Sequence, residues 1–136
     1  MYRVFLSHGG GDTFVASELF APRMREAGAT VFIDAVELDG GSNFRSEIFE
    51  ELSQSDELVV LITKTSILRP WIFAEIGVAI LRRIRIVPFI YGPRESELSR
   101  LGILSLLGTI KTLRYERQDL ADYISQLARR VIEAKQ

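Results

Sequence analysis

Several residue types that support common enzyme chemistry are absent or rare in this sequence of 136 residues. It contains no cysteine, which excludes disulfides, thiol nucleophiles and thiolate metal sites. Its single histidine, His8, cannot build a metal centre from several imidazoles, so we expect no bound metal. Any catalysis must therefore use carboxylates, hydroxyls, backbone amides or His8.

An excess of one charge and long apolar runs are also missing. The 17 Lys and Arg residues stand against 18 Asp and Glu residues, a net charge of −1, which argues against direct nucleic-acid binding. The strongest apolar runs, 58–62 and 86–91, are much shorter than the roughly 20 residues of a membrane span. The first residues do not form a signal peptide. We therefore expect a soluble, cytoplasmic protein with no membrane contact.

The sequence does contain enough apolar residues for one core. A hydrophobic content of 47% excludes a disordered chain. The length fits a single domain over residues 1–136. No internal repeat, low-complexity segment or linker interrupts it.

Short apolar runs alternate with segments of helical periodicity. The runs predict strands at 4–6, 30–33, 58–62, 85–91 and 110–113. Asp12 is expected to cap a helix that ends at Gly28 and that Pro22 kinks or splits. Further helices are expected around 44–52, from Pro70 to about Arg83, weakly over 95–107, and around 120–131. The helix after Pro70 is apolar nearly all round, which predicts deep packing.

Five β-then-α units predict an α/β fold. The common solution at this size is a flavodoxin-like, doubly wound sheet of five parallel strands, in the order 2-1-3-4-5, with helices on both faces. Its ligand crevice lies at the carboxyl ends of strands one and three, where the winding reverses. The loops 8–12, 34–42 and 63–70 should converge there. A phosphoacceptor receiver domain of this topology is excluded, because strand three ends in Ile62 and Thr63 and not in an aspartate.

Glu75 is the most informative residue of the sequence. It is the only charged side chain from Pro70 through Leu81, and an unpaired buried carboxylate is costly. It lies four residues after Trp71, so the two side chains share one helix face. A carboxylate beside an aromatic plane suits a heteroaromatic or sugar ligand. The alternative is a glutamate that pairs with a nearby arginine or points to solvent.

Other polar residues near the expected crevice have both functional and structural interpretations. Glycines 9–11 could admit a phosphate or simply form a tight turn, and no Walker lysine follows them. Asp34 is either a ribose contact or a turn residue. His8 is either a proton shuttle or a satisfied side chain at the crevice edge. Neither Ser7 nor Ser66 has a base at the spacing of a catalytic triad.

In chain order, these segments resemble TIR (Toll/interleukin-1 receptor) domains. The likeness covers essentially the whole chain: a first strand and polar box, a second strand with a glycine-bearing BB loop, a Ser…Trp-x-x-x-Glu stretch, and a fourth strand. The first strand and box are residues 4–8 with Asp12, and the second strand is 31–34, followed by the BB loop. The Ser…Trp-x-x-x-Glu stretch follows 58–63 and holds Ser66, Trp71 and Glu75, and the fourth strand is 85–89. Ile72 stands where animal receptor domains commonly have Cys, His8 where an aromatic is usual, and a late Phe-Trp box is absent. The resemblance is therefore to the bacterial type.

The resemblance implies membership of the NAD-cleaving branch and an NAD+ glycohydrolase or cyclase activity. Nicotinamide and ADP-ribose, or a cyclic ADP-ribose isomer, would be released, with NAD+ as substrate and no cofactor. It implies that Glu75 is the catalytic carboxylate. The implied substrate contacts are Ser7, His8, Asp34, Leu38, Asp39, Ser66 and Trp71. It also implies activation by TIR–TIR self-association, a role in antiphage defence or signalling, and an effector that responds to the product.

Two other functions remain open at this point. A non-catalytic TIR module would act as a signalling scaffold or as a mimic of host TIR domains, and Glu75 would then be structural. A flavodoxin-like nucleotide sensor would bind NAD+ without releasing nicotinamide. The intact spacing from Trp71 to Glu75 favours the enzyme over both.

Overall fold

The computed structural model describes residues 1–33, 44–114 and 116–135 and shows a parallel sheet in the order β2-β1-β3-β4-β5. This confirms the strand order predicted from the sequence. The strands are β1 (Arg3–Ser7), β2 (Thr30–Ile33), β3 (Glu57–Thr63), β4 (Arg85–Tyr91) and β5 (Leu113–Arg114). Every residue of the central strand β3 is buried, as expected for a parallel strand covered on both faces.

Helices cover both faces of this sheet. They are α1 (Ala21–Glu26), α2 (Phe44–Ser53), α3 (Pro70–Leu81), α4 (Glu95–Arg100), α5 (Ile103–Leu107) and α6 (Arg117–Lys135). Short 3₁₀ turns span Gly10–Asp12 and Ser66–Leu68. Helix α3 begins at Pro70, where the missing N–H of proline costs nothing. Among the residues described, no helix combines the length and apolar character that a membrane crossing requires.

Two hydrophobic cores lie on opposite faces of the sheet. Helices α1 and α6 cover one face, where Phe89 of β4 makes edge-to-face contacts with Phe20 and with Tyr123 of α6. Helices α2 to α5 cover the other face, and Ile72 and Ile76 of α3 are fully buried there. The alternation of inward-facing residues along each strand divides the core in this way.

The segment before α1 differs from a regular helix. Val15–Phe20 forms a π-helix, in which the N–H of Ala21 donates to the carbonyl of Ala16. The change of hydrogen-bond register comes immediately before Pro22, which has no N–H to donate. The helix expected from Asp12 to Gly28 is therefore split into a π-helical segment, Val15–Phe20, and the α-helix α1. It ends as predicted, with Gly28 at a φ of 101°.

Two element boundaries and the burial of one helix differ from the sequence prediction. The weak helical region 95–107 is two short helices separated by Gly102, whose φ of 80° ends the first. Strand β5 occupies Leu113–Arg114 instead of 110–113, because Leu113 pairs with Phe89 of β4. The expected deep packing of α3 holds only on one face, since Ile80 is 44% and Leu81 is 82% exposed.

Candidate active site at the carboxyl ends of β1 and β3

The carboxyl ends of β1 and β3 lie side by side, and Ser7 of β1 pairs with Val60 of β3. The chain order reverses here, because β2 lies on one side of this pair and β4 on the other. The first loop (8–12) and the third loop (63–70) both leave the sheet at this edge. The predicted crevice position thus brings together two of the three loops singled out in the sequence.

Asp12 fixes the first loop to the third. Its Oδ2 accepts hydrogen bonds from the hydroxyls of Thr63, at 2.7 Å, and Thr65, at 3.3 Å. Asp12 was expected to cap the helix that follows, but the N-cap residue of the segment Val15–Phe20 is Phe14, which has no side-chain cap. The contacts of Asp12 with Thr63 and Thr65 form a bridge between loops.

Gly9 is required for a close approach and not for an unusual turn. Its φ of −85° is available to any residue. A Cβ at this position would lie 2.9 Å from both the Cα and the backbone nitrogen of Ser66. The two loops can approach so closely only because residue 9 has no side chain.

Replacing Gly9 with alanine should destabilise the protein by about 1–3 kcal/mol, the usual cost of overpacking, because the contacted atoms belong to the backbone. Urea unfolding followed by circular dichroism would measure this loss. The matched control is Gly77→Ala in α3, where a Cβ meets nothing within 4 Å. That change should raise stability by about 0.5–1 kcal/mol, the helix preference of alanine over glycine. Equal effects at the two positions would contradict the close-approach role of Gly9.

Ser66 lies at the centre of the third loop and is fully buried. Its hydroxyl donates to the carbonyl of Leu61 at 2.6 Å and accepts from the backbone N–H of Thr63 at 2.8 Å. These bonds hold the loop that leads to α3. The predicted contact of Ser66 with a substrate stays a prediction, and its hydroxyl already has partners within the chain.

Glu75 is fully buried in the second turn of α3. The hydroxyl of Ser7 donates to Glu75 Oε1 at 3.1 Å, across the gap between β1 and α3. The guanidinium of Arg69 lies 4.0 Å from the same oxygen. This hydrogen bond and the nearby cation offset the free-energy cost of burying the Glu75 carboxylate.

Arg69 connects Glu75 to the first loop. It is the N-cap residue of α3, and its Nη1 donates to the backbone carbonyl of His8. The same guanidinium therefore contacts the loop after β1 and approaches the carboxylate on α3. The sequence analysis allowed an arginine to pair with Glu75 but could not name it, because only the fold shows which arginine lies near enough.

The indole of Trp71 lies against α2. Its ring stacks on Phe49, with centroids 5.0 Å apart and planes inclined by 10°. This stacking fixes the orientation of the indole at the start of α3. Phe49 was not singled out from the sequence, since a contact between α2 and α3 depends on how the two helices pack.

Ser7, His8 and Glu75, three of the residues predicted for the site, are brought together by the fold. His8 is 5% exposed, and its Nδ1 lies 2.7 Å from the carbonyl of Gly9. Of the other five predicted residues, Ser66 and Trp71 make the contacts given above, and Asp34, Leu38 and Asp39 lie outside the described residues. In the part of the chain that is described, no three His, Asp or Glu side chains lie close enough to hold a metal ion.

A second buried carboxylate, Glu57, lies at the opposite edge of the sheet. It accepts hydrogen bonds from the hydroxyls of Tyr2, at 2.7 Å, and Tyr123. Arg130 of α6 binds it with two nitrogens, at 2.9 and 3.1 Å. Sequence reasoning missed this cluster, because Glu57 was placed before the apolar run and its partners are distant in sequence.

Burial and the charge of Glu57 change the pKa values of its partners. Burial, together with the hydrogen bond and the negative charge of Glu57, raises the pKa of both tyrosine hydroxyls. Burial lowers the pKa of Arg130, but the hydrogen bond and charge of Glu57 outweigh it and the pKa is raised. The tyrosines therefore stay neutral donors and the arginine stays charged. This cluster is satisfied within the chain and has the character of a structural anchor for α6.

Comparison with known proteins identifies the family of this fold. A sequence model described as the TIR domain matches residues 4–130. No curated protein sequence matches the chain significantly.

Solved TIR domains share the fold. The TIR domain of the Toll-related receptor TRR-2 from Hydra magnipapillata is 17% identical, with a TM-score of 0.70, over 98% of this chain and 99% of that one. A TIR chain of the RPS4–RRS1 heterodimer is 14% identical, with a TM-score of 0.68, over 98% and 97%. The TIR domains of the activated Roq1 resistosome, which recognises the pathogen effector XopQ, are 20% identical, with a TM-score of 0.54, over 95% and 84%. At these identities the likeness concerns the fold.

Proposed function

Since this chain belongs to the TIR domain family, we propose that it is an NAD+ glycohydrolase or cyclase of the bacterial type. It would cleave the bond between nicotinamide and ribose and yield ADP-ribose or a cyclic isomer. Glu75 is the observation that carries the proposal. Its fully buried carboxylate is hydrogen-bonded to Ser7 at the carboxyl end of β1, the edge where sheets of this class bind ligands, and lies four residues after Trp71.

A single carboxylate suits this reaction. The nicotinamide of NAD+ is a pyridinium that leaves as a neutral base, so it needs no proton from an acid. The ribose carbon then acquires positive charge, as in glycosidase transition states. A fixed negative group next to that carbon stabilises the charge without reorganising. Ser7 supports this role by holding one oxygen of Glu75 in place.

The remaining contacts are proposed by position. His8 follows β1 at the carboxyl edge of the sheet, and Trp71 lies four residues before Glu75. The indole of Trp71, which stacks on Phe49, would lie beside a ring of the substrate. Ser66, Asp34, Leu38 and Asp39 complete the proposed set of substrate contacts.

Glu75 needs a rearrangement before it can meet a substrate, because its side chain has no exposed surface. We propose that TIR–TIR self-association supplies it. TIR domains occur together in the RPS4–RRS1 heterodimer and in the Roq1 resistosome. The exposed Leu81 and Ile80 at the end of α3 offer apolar surface to such a contact. A cytoplasmic role in antiphage defence or signalling, with an effector that reads the product, would follow from this activity.

The direct test is nicotinamide release from NAD+ over a wide range of protein concentration, with a crowding agent. Products would be separated by chromatography and identified by mass. We expect turnover per chain to rise with concentration as the domains associate. NADH is the matched control, because its dihydronicotinamide is uncharged and a poor leaving group. Associated protein that releases no nicotinamide would contradict the proposal.

A non-catalytic assembly module is the second candidate. It is favoured by the exposed apolar end of α3, and it predicts self-association without NAD+ cleavage. Light scattering performed beside the nicotinamide assay separates the two functions.

A further inference from the structure

The imidazole of His8 has an acceptor atom that no residue described in the structure uses. Resting on the function proposed above, we propose that His8 Nε2 accepts the proton of the water molecule that attacks ribose C1′. This goes beyond a substrate contact, because it assigns His8 a step of the reaction and makes it the residue that favours water as nucleophile.

The tautomer of His8 follows from its hydrogen bond. Nδ1 lies 2.7 Å from the carbonyl oxygen of Gly9, and a carbonyl oxygen can only accept. The proton of the neutral ring therefore sits on Nδ1, and Nε2 carries a lone pair. Nε2 is buried and has no hydrogen-bond partner among the residues that the structure describes. Buried polar atoms of this kind are rare and call for a partner, such as a ligand or water.

The position of His8 relative to Glu75 is also fixed. Ser7, the residue before it, donates to Glu75 Oε1. The backbone carbonyl of His8 accepts a hydrogen bond from Arg69, whose guanidinium also approaches Glu75 Oε1. Two independent links thus hold the His8 backbone at the carboxylate. A base that is itself oriented by a third group, here the Gly9 carbonyl, is the arrangement used in general-base catalysis.

The bond from C1′ to the nicotinamide nitrogen breaks, and its electron pair leaves with neutral nicotinamide. The oxygen of water bonds to C1′ while Glu75 stabilises the positive charge, and the released proton passes to Nε2. The resulting imidazolium donates from Nδ1 to the Gly9 carbonyl, a charge-assisted bond that stabilises it. It then returns the proton to solvent, so that NAD+ and water give ADP-ribose, nicotinamide and a proton.

The test compares two nucleophiles in His8→Asn. A pyridine base such as 3-acetylpyridine attacks C1′ without losing a proton, whereas water must lose one. The asparagine amide can still donate to the Gly9 carbonyl but has no atom at Nε2. We expect hydrolysis to fall by about 10²-fold more than exchange with the pyridine, the range of general-base effects, because any lost contact with NAD+ lowers both rates alike.

His8→Phe separates this role from a structural one. It also lacks a base, but it loses the bond to Gly9 as well, and it should show the same preference for the pyridine. Equal losses of hydrolysis and exchange, or no loss of hydrolysis in His8→Asn, would overturn the role of His8. A wild-type chain that releases no nicotinamide when associated would overturn the proposed function, and this step with it.

A second measurement does not depend on turnover. His8 is the only histidine, so ¹⁵N-labelled histidine gives the signals of one ring. We expect the neutral ring to carry its proton on Nδ1, the less common tautomer, with Nε2 unprotonated. A proton on Nε2 in the neutral ring would overturn the proposal, even in an active enzyme.

Discussion

Glu75→Gln is expected to lower nicotinamide release from NAD+ by about 10²- to 10³-fold, the scale on which removal of a charge-stabilising group acts in a preorganised site. Glutamine has nearly the shape of glutamate, and its amide oxygen can still accept from Ser7. What it lacks is the negative charge that opposes the cationic ribose. The loss should therefore fall on kcat, with the affinity for NAD+ little changed. Single-turnover release and NAD+ titration would measure the two quantities.

Two controls belong to this prediction. Glu95→Gln removes an exposed carboxylate from α4 and should leave turnover unchanged. Glu75→Asp keeps the charge but moves it back by one methylene, and it should retain part of the activity. If folded Glu75→Gln, with the thermal midpoint of the wild type, released nicotinamide normally, Glu75 would not be the catalytic carboxylate. If it failed to fold, Glu75 would be structural, as the assembly-module interpretation holds.

The strands could be predicted because they depend on local patterns, and their order because five β-then-α units of this size commonly adopt it. The run from Leu58 to Ile62 is apolar without alternation, which only a strand buried on both faces tolerates. Pro70 marked the beginning of α3 through its backbone chemistry. Strand β5 was misplaced, because its two residues are defined by pairing with β4, which no local pattern encodes.

The sequence predicts which residues form the candidate site, and those residues stay a prediction, but it does not predict their contacts. Glu75 stands out because it is a lone charge in an apolar helix. Arg69 and Phe49 could not be assigned, since their contacts with His8 and Trp71 cross between elements whose packing had to be known first. Gly9 shows the same limit. Its turn could be guessed, but its contact with Ser66 arises only when the two loops meet.

The two buried glutamates show why burial alone does not define a catalytic residue. Glu57 and Glu75 are both fully buried. Glu57 is bound by two tyrosine hydroxyls and by two nitrogens of Arg130 at the amino edge of the sheet. Glu75 lies at the opposite edge, where ligands of this fold class bind. A Glu→Gln change should accordingly lower turnover at Glu75 and the free energy of unfolding at Glu57.

Glu57→Gln is expected to destabilise the protein by about 3–5 kcal/mol, the cost of removing one partner from a buried ion pair. The change leaves the side chain of Arg130, which is 18% exposed, without its counter-ion. In the wild type both tyrosine hydroxyls donate to carboxylate oxygens of Glu57. In the variant one of these oxygens becomes an NH₂ group, so that two donors face each other. Helix α6 carries Tyr123 and Arg130, so its contact with the sheet should weaken first. Urea unfolding and amide hydrogen exchange in α6 would measure both effects.

A double-mutant cycle separates the ion pair from the loss of packing. Arg130→Met alone should also be strongly destabilising, because it leaves Glu57 buried with only its tyrosine donors. The double variant Glu57→Gln/Arg130→Met should lose much less than the sum, since neither charge then remains unpaired. Arg129→Met, at the exposed neighbouring position of α6, should change stability little. Additive losses in the cycle would show that Glu57 and Arg130 do not act as a pair, and that α6 is held by its apolar face alone.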